Sequence, residues 1–361
     1  MSTKSVDDKQ KRILGLDGLR GISILLVLGG HGWYSLNPYS ILQYCGLFFC
    51  NASLGVLIFF VISGFLITTL LLEEINKTGT IYLRNYYIRR IFRIFPAFYV
   101  YMLCVSIWAI FGIIKTTKYD IITGAFFIQN YKHIFKFLSN VDFYYVGQLW
   151  TLSIEEQFYL IWPFILKFLG RKPALKIAIG VILYSPFARI LTYLYVPEWR
   201  GQIGIMAHTY FDPIMMGCLA ALLKDKAKVV ELMGSRVMCF LVWLVLGFIF
   251  VINPIIIQKL GGAYNLTFGV FISAFFVSFL LVYCYQRQSS FLVSLLEFKP
   301  LTYIGLISFS LYLWNPLFLS SLGQFSWQQL PVNFILTFLI SIISYRFVEI
   351  PFIEIRKKIF C

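Results

Sequence analysis

Leu54-Gly55-Val56-Leu57-Ile58-Phe59-Phe60-Val61-Ile62-Ser63-Gly64-Phe65-Leu66-Ile67-Thr68-Thr69-Leu70-Leu71-Leu72 contains no charged residue. At about 1.5 Å of rise per residue a helix of this length reaches roughly 28 Å, enough to cross a hydrocarbon core. Working outward, comparable stretches occur near 14–34, 94–114, 149–169, 174–196, 204–223, 237–256, 264–285, 302–322 and 330–350. Composition points the same way. Apolar residues make up 59% of the 361-residue chain and charged residues 13%, where soluble domains carry about 25% charge. The expectation is an all-α integral membrane protein, a bundle of about ten transmembrane helices. It forms a single domain over 1–361, with cytoplasmic tails at 1–12 and 351–361. Ile121–Ile128 is a shorter apolar piece within 120–138, expected to lie along the surface or to re-enter.

The net charge of +15 would suit a nucleic-acid partner, but its distribution fits membrane topology better, so none is expected. With the N-terminus placed in the cytoplasm, 22 of the 31 Lys and Arg fall in inner segments and 6 in outer ones. Arg20, Arg189 and Arg346 lie inside helices. The positive-inside rule favours this orientation, with both termini cytoplasmic. Residues 1–12 are polar and mixed in charge, unlike a cleaved signal peptide. The seven cysteines are scattered, with neither a metal-type spacing nor a disulfide framework, although Cys45 and Cys50 could pair. No internal repeat is evident, which weakens an inverted-repeat transporter reading.

Ionisable groups inside a bilayer are costly and therefore mark candidate sites. Arg20 and His31 are eleven residues apart, which returns them to nearly one face of a helix about 16 Å apart in depth. Glu155 and Glu156 are adjacent carboxylates in an apolar segment. Glu155 is expected near the depth of His31, with Tyr159 on its face. A histidine and a carboxylate at one depth make a general acid–base pair; the bland alternative is a buried structural histidine and a carboxylate that satisfies another polar group. His208 and Asp212 either line the same cavity or hydrogen-bond each other. His31, Glu155, His208 and Asp212 lack tight ligand spacing, so no metal is expected. Arg89, Arg90 and Arg93 anchor the inner face, and such clusters also grip phosphates. Arg346 and Glu349 look like a structural pair.

Together these motifs resemble the membrane-bound acyltransferases called acyltransferase family 3, across essentially the whole chain. Leu16-Asp17-Gly18-Leu19-Arg20-Gly21 followed by His31 is similar to that family's arginine–ten residues–histidine signature. Phe59 to Ile67 is similar to its second-helix motif. Arg89 to Pro96 is similar to its basic inner-loop motif, and Trp150 to Pro163 to its tryptophan–glutamate–tyrosine motif. Ser308 to Trp314 and Ser344 to Pro351 resemble its C-terminal signatures. Each motif is weak alone; order and spacing together are specific. One departure is Asn315, where the family often has histidine, so this position is not expected to carry a proton. The chain ends soon after its last helix, so an appended extracytoplasmic domain is not expected.

The resemblance implies a bacterial inner-membrane O-acyltransferase, using acyl-CoA, usually acetyl-CoA, to acylate a sugar of lipopolysaccharide O-antigen, capsule, peptidoglycan or a related glycan. Arg20, Arg89, Arg90 and Arg93 would hold the CoA moiety. His31 would act as base or as transient nucleophile, with Glu155 orienting it. Asp17, Ser63, Tyr159 and Asp212 are candidates for substrate contacts. The competing classes are a proton-coupled transporter of a glycan or lipid and a non-catalytic scaffold. The Arg89–Arg93 cluster argues against the first and the buried charges against the second.

Overall fold

The computed structural model describes residues 13–33, 46, 50–134, 144–320 and 325–360, and every regular element among them is helical. Helix α1 is Leu16–Gly32, α2 Ala52–Thr78, α3 Leu83–Ile110 and α4 Lys118–Ala125. They are followed by α5 Leu149–Phe164, α6 Arg171–Tyr195, α7 Asp212–Leu223, α8 Arg236–Gly247, α9 Asn253–Tyr264 and α10 Val270–Gln286. The last four are α11 Lys299–Leu306, α12 Ser308–Phe318, α13 Val332–Ser344 and α14 Ile350–Phe360.

Among the described residues five continuous helical runs can cross a membrane by length and apolarity, or six if α11 and α12, bent by 73°, make one broken span. The sequence reading expected about ten, and the difference has physical causes. The run Arg236–Gln286 covers 51 residues, far more than one crossing needs. Gly261 breaks it with φ 67°, a left-handed value glycine adopts without strain. The two arms fold back on each other: Phe248 and Phe276 sit with ring centroids 5.1 Å apart, and Asn253 Nδ2 donates to Ser273 Oγ at 2.9 Å. The expected span at 204–223 is shortened to α7, because the chain turns at Ala207–Tyr210 before entering it. Ile121–Ile128 belongs to no long helix. Its start is α4, capped by Thr117 and Asp120, and Asp120 forms a buried ion pair with Lys132. The N-terminal tail and Cys45 lie outside the described residues; Cys50 is a free thiol.

The opening apolar stretch becomes α2, the centre of the bundle. Of its most apolar 18 residues 72% are buried, against 17–33% for the other runs. Asn51 Oδ1 caps its start at Leu54 N, 2.9 Å, and Gly79 closes its end with φ 75°. Lipid supplies no hydrophobic drive between helices, so small residues that let backbones approach take over. A Cβ on Gly64 would lie 2.0 Å from the Ile214 carbonyl oxygen, and one on Gly217 2.0 Å from that of Val61. The α2–α7 crossing therefore requires both glycines. Helix α11 meets α1 in the same way, through Gly305 against the Asp17 carbonyl.

Candidate active site

One cavity opens between α1, α2, α3, α5, α11 and α12. It encloses about 870 Å³ of empty space, part of it open to solvent. Six residues singled out from the sequence, apart from His31, converge on it: Arg20, Ser63, Arg90, Arg93, Glu155 and Tyr159.

Their contacts form a directed chain. Tyr159 Oη donates to Ser63 Oγ at 3.1 Å, and Ser63 Oγ donates to Glu155 Oε1 at 2.6 Å. Glu155 is thus the terminal acceptor of the chain. The Arg90 guanidinium lies over the Tyr159 ring, 4.3 Å from its centroid, a cation–π placement that also keeps the planar fork aimed into the cavity. Tyr159 follows Glu155 by one helical turn, which is how one face of α5 supplies both groups. Arg20, in the second turn of α1, stands 3.8 Å from Asp17. Asp17 itself is not among the cavity-lining residues. Thr151 and Tyr312 share a hydrogen bond of 2.5 Å on the cavity wall.

Glu349 is a cavity residue that the sequence reading assigned to a pair with Arg346. The helix widens to a π turn at Tyr345–Glu349, and the three-residue spacing of an α-helix no longer applies. Arg346 points outward, while Glu349 is buried, accepts from Ser310 Oγ and lines the cavity.

The remaining candidates lie elsewhere. Arg89 leaves the cavity to pair with Glu74 at 3.0 Å. Asp212 is fully buried against Arg189, Nη1 to Oδ1 and Nη2 to Oδ2 both 2.9 Å. His208 bonds Tyr131, not Asp212. Glu155 was expected at the depth of His31, yet it shares Arg20's cavity. His31 is half-buried near the far end of α1, and its Nδ1 lies 2.5 Å from Asn315 Oδ1. Glu155 and His31 are not bonded to each other. Among the described residues no cluster of three His, Cys, Asp or Glu could hold a metal.

Three arginines and two carboxylates thus line one cavity in an apolar bundle. The family model described as "Acyltransferase domain" matches residues 13–346. The chain belongs to this acyltransferase family. It is 31% identical to a peptidoglycan O-acetyltransferase of Listeria monocytogenes (serovar 1/2a), over 97% of this chain and 56% of that protein. It is 32% identical to an O-acetyltransferase of Staphylococcus aureus (strain NCTC 8325), over 95% and 57%. A putative O-acetyltransferase of Staphylococcus aureus (strain COL) is 30% identical over 95% and 58%. The chain thus spans little more than half the length of these relatives. No solved structure matches it.

Proposed function

We propose that this acyltransferase-family protein is a multi-pass inner-membrane O-acetyltransferase that moves an acetyl group from cytoplasmic acetyl-CoA to a hydroxyl of a cell-envelope glycan. The observation that carries this reading is the convergence of Arg20, Arg90 and Arg93 with Glu155 and Glu349 on one cavity. Three cations against two carboxylates leave an excess of positive charge, suited to a phosphorylated donor. Arg89, paired with Glu74, has a peripheral part at most. The pantetheine arm extends from the arginines past Tyr312 toward His31. His31 takes the proton of the sugar hydroxyl, the oxygen attacks the thioester carbonyl, and CoA leaves as the thiolate. Glu155 orders the Ser63–Tyr159 chain at the donor site; this replaces the sequence-based idea of a direct Glu155–His31 pair. An orientation with both termini cytoplasmic, as the charge distribution suggests, puts donor and acceptor on opposite faces. The name of the Listeria relative makes peptidoglycan the first acceptor to test, beside lipopolysaccharide and capsular polysaccharide.

The test is ester-linked acetate on envelope glycans of cells lacking the native protein, complemented with wild type or His31→Ala at matched membrane abundance. Acetate restored by wild type and absent with the variant supports the reading. Full restoration by the variant removes His31 from the chemistry. No acetate with wild type on any of the three glycans defeats the acetyltransfer reading.

A further inference from the structure

Asn315 occupies the position where an ionisable side chain was anticipated from the family pattern, and it cannot carry a proton. Its surroundings give it another task. The side chain is fully buried in α12, one residue before Pro316. Proline has no backbone N–H, so the carbonyl four residues earlier, that of Tyr312, loses its helical partner. Asn315 Nδ2 fills this gap, donating to Tyr312 O at 2.7 Å and to Leu311 O at 3.1 Å. A carboxamide has two N–H donors and one carbonyl acceptor, and here both donors are committed. The opposite orientation would set Oδ1 against two carbonyl oxygens. The amide is therefore fixed, with Oδ1 facing His31 Nδ1 at 2.5 Å.

An oxygen with no hydrogen at that distance requires one on the imidazole nitrogen. A neutral imidazole has a single N–H, so if Nδ1 bears it, Nε2 holds the free lone pair. Among the described residues the His31 ring makes no other hydrogen bond, and no charged side chain pairs with it. We propose that Asn315 is a positioning residue that holds His31 as the tautomer protonated at Nδ1, leaving Nε2 to accept the hydroxyl proton. The inference rests on the acetyltransfer reading for its purpose, but not for the tautomer itself. A neutral orienter suits this depth. It fixes the ring without placing a second charge in the apolar bundle. In Ser-His-Asp enzymes the carboxylate does the same for its histidine, and there the wrong tautomer costs about 10⁴-fold in rate.

The deciding measurement is nitrogen-15 solid-state NMR of histidine-labelled protein in lipid bilayers at neutral pH. The chain has three histidines, and the difference spectrum against His31→Gln isolates the one of interest. The proton is expected on Nδ1 in wild type. Asn315→Leu, which keeps the size and removes the acceptor, is expected to lose that preference and at least about 10²-fold of acetyl transfer. Asn315→Asp combined with Pro316→Ala keeps an acceptor for His31 and returns a backbone N–H to the Tyr312 carbonyl. That double variant is expected to retain the Nδ1 proton and activity within about tenfold of wild type. A wild-type spectrum with the proton on Nε2 overturns the proposal whatever the enzyme's activity, and so does an Asn315→Leu protein as active as wild type. If Asn315→Leu does not accumulate, the wild-type spectrum and the double variant decide. Loss of the acetyltransfer reading, by contrast, would show as no acetate with wild type on any of the three glycans and would leave the spectrum untouched.

Discussion

Asp212→Asn separates a structural from a substrate-binding carboxylate. Arg189 and Asp212 are 1% and 0% exposed and joined by two bonds of 2.9 Å, with Arg189 Nη1 also donating to the Thr209 carbonyl at 2.8 Å. Neutralising Asp212 leaves the guanidinium buried with the Thr209 carbonyl and no countercharge. Removing one member of such a pair costs about 3–5 kcal/mol, whereas replacing both by apolar residues of similar size is commonly neutral or stabilising. At roughly 2 °C per kcal/mol for a chain of this size, Asp212→Asn is expected to lower the midpoint of thermal unfolding in detergent by about 6–10 °C. Arg189→Met combined with Asp212→Leu is expected to melt near wild type and to keep acetyl transfer. A single variant as stable as wild type would refute the reasoning about the pair. A stable but inactive double variant would return Asp212 to the substrate-binding role read from the sequence.

Two other perturbations probe the crossing of α2 with α7 and the proposed donor site. Gly64→Ala forces a Cβ to within 2.0 Å of the Ile214 carbonyl oxygen, and overpacking of this kind costs about 1–3 kcal/mol; lower membrane abundance and a lower melting midpoint are expected, and an unchanged midpoint would mean the crossing is slack. Arg90→Lys keeps the charge but gives up the planar stacking 4.3 Å above the Tyr159 ring. The KM for acetyl-CoA is expected to rise about tenfold, a loss near 1.4 kcal/mol, with kcat less affected; equal KM values in steady-state assays would move the phosphate site elsewhere.

The membrane class and most of the residues lining the cavity were legible in the sequence because both depend on local pattern. Apolar length announced the helices, and intramembrane charge announced Arg20, Arg90, Arg93 and Glu155. What stayed hidden depends on pairing between distant segments. Arg189 and Asp212 were each visible as isolated charges in apolar stretches, and opposite signs there were a usable hint, but nothing in their spacing joined them. Glu349 was misread because an α-helical period was applied across a π turn. Arg89 and Arg90 are neighbours in sequence, yet one faces Glu74 and the other the cavity. Helical phase alone did not sort them, since Arg93 lies within a turn of both. Asn315 was noticed as a departure from the family pattern; its meaning required seeing both the gap left by Pro316 and the ring of His31.

The bent pair α11–α12 holds α1 at two points. Its first half presses against α1 where Gly305 meets the Asp17 carbonyl, and its second half delivers Asn315 to His31. Between these grips α1 acts as a ruler. A single residue inserted there would turn His31 by about 100° and carry it about 1.5 Å onward, out of register with an amide that has no freedom to follow. A change of letter along that stretch alters one contact, whereas a change of length detaches the histidine from its partner. This helix can be re-spelled, but it cannot be re-spaced.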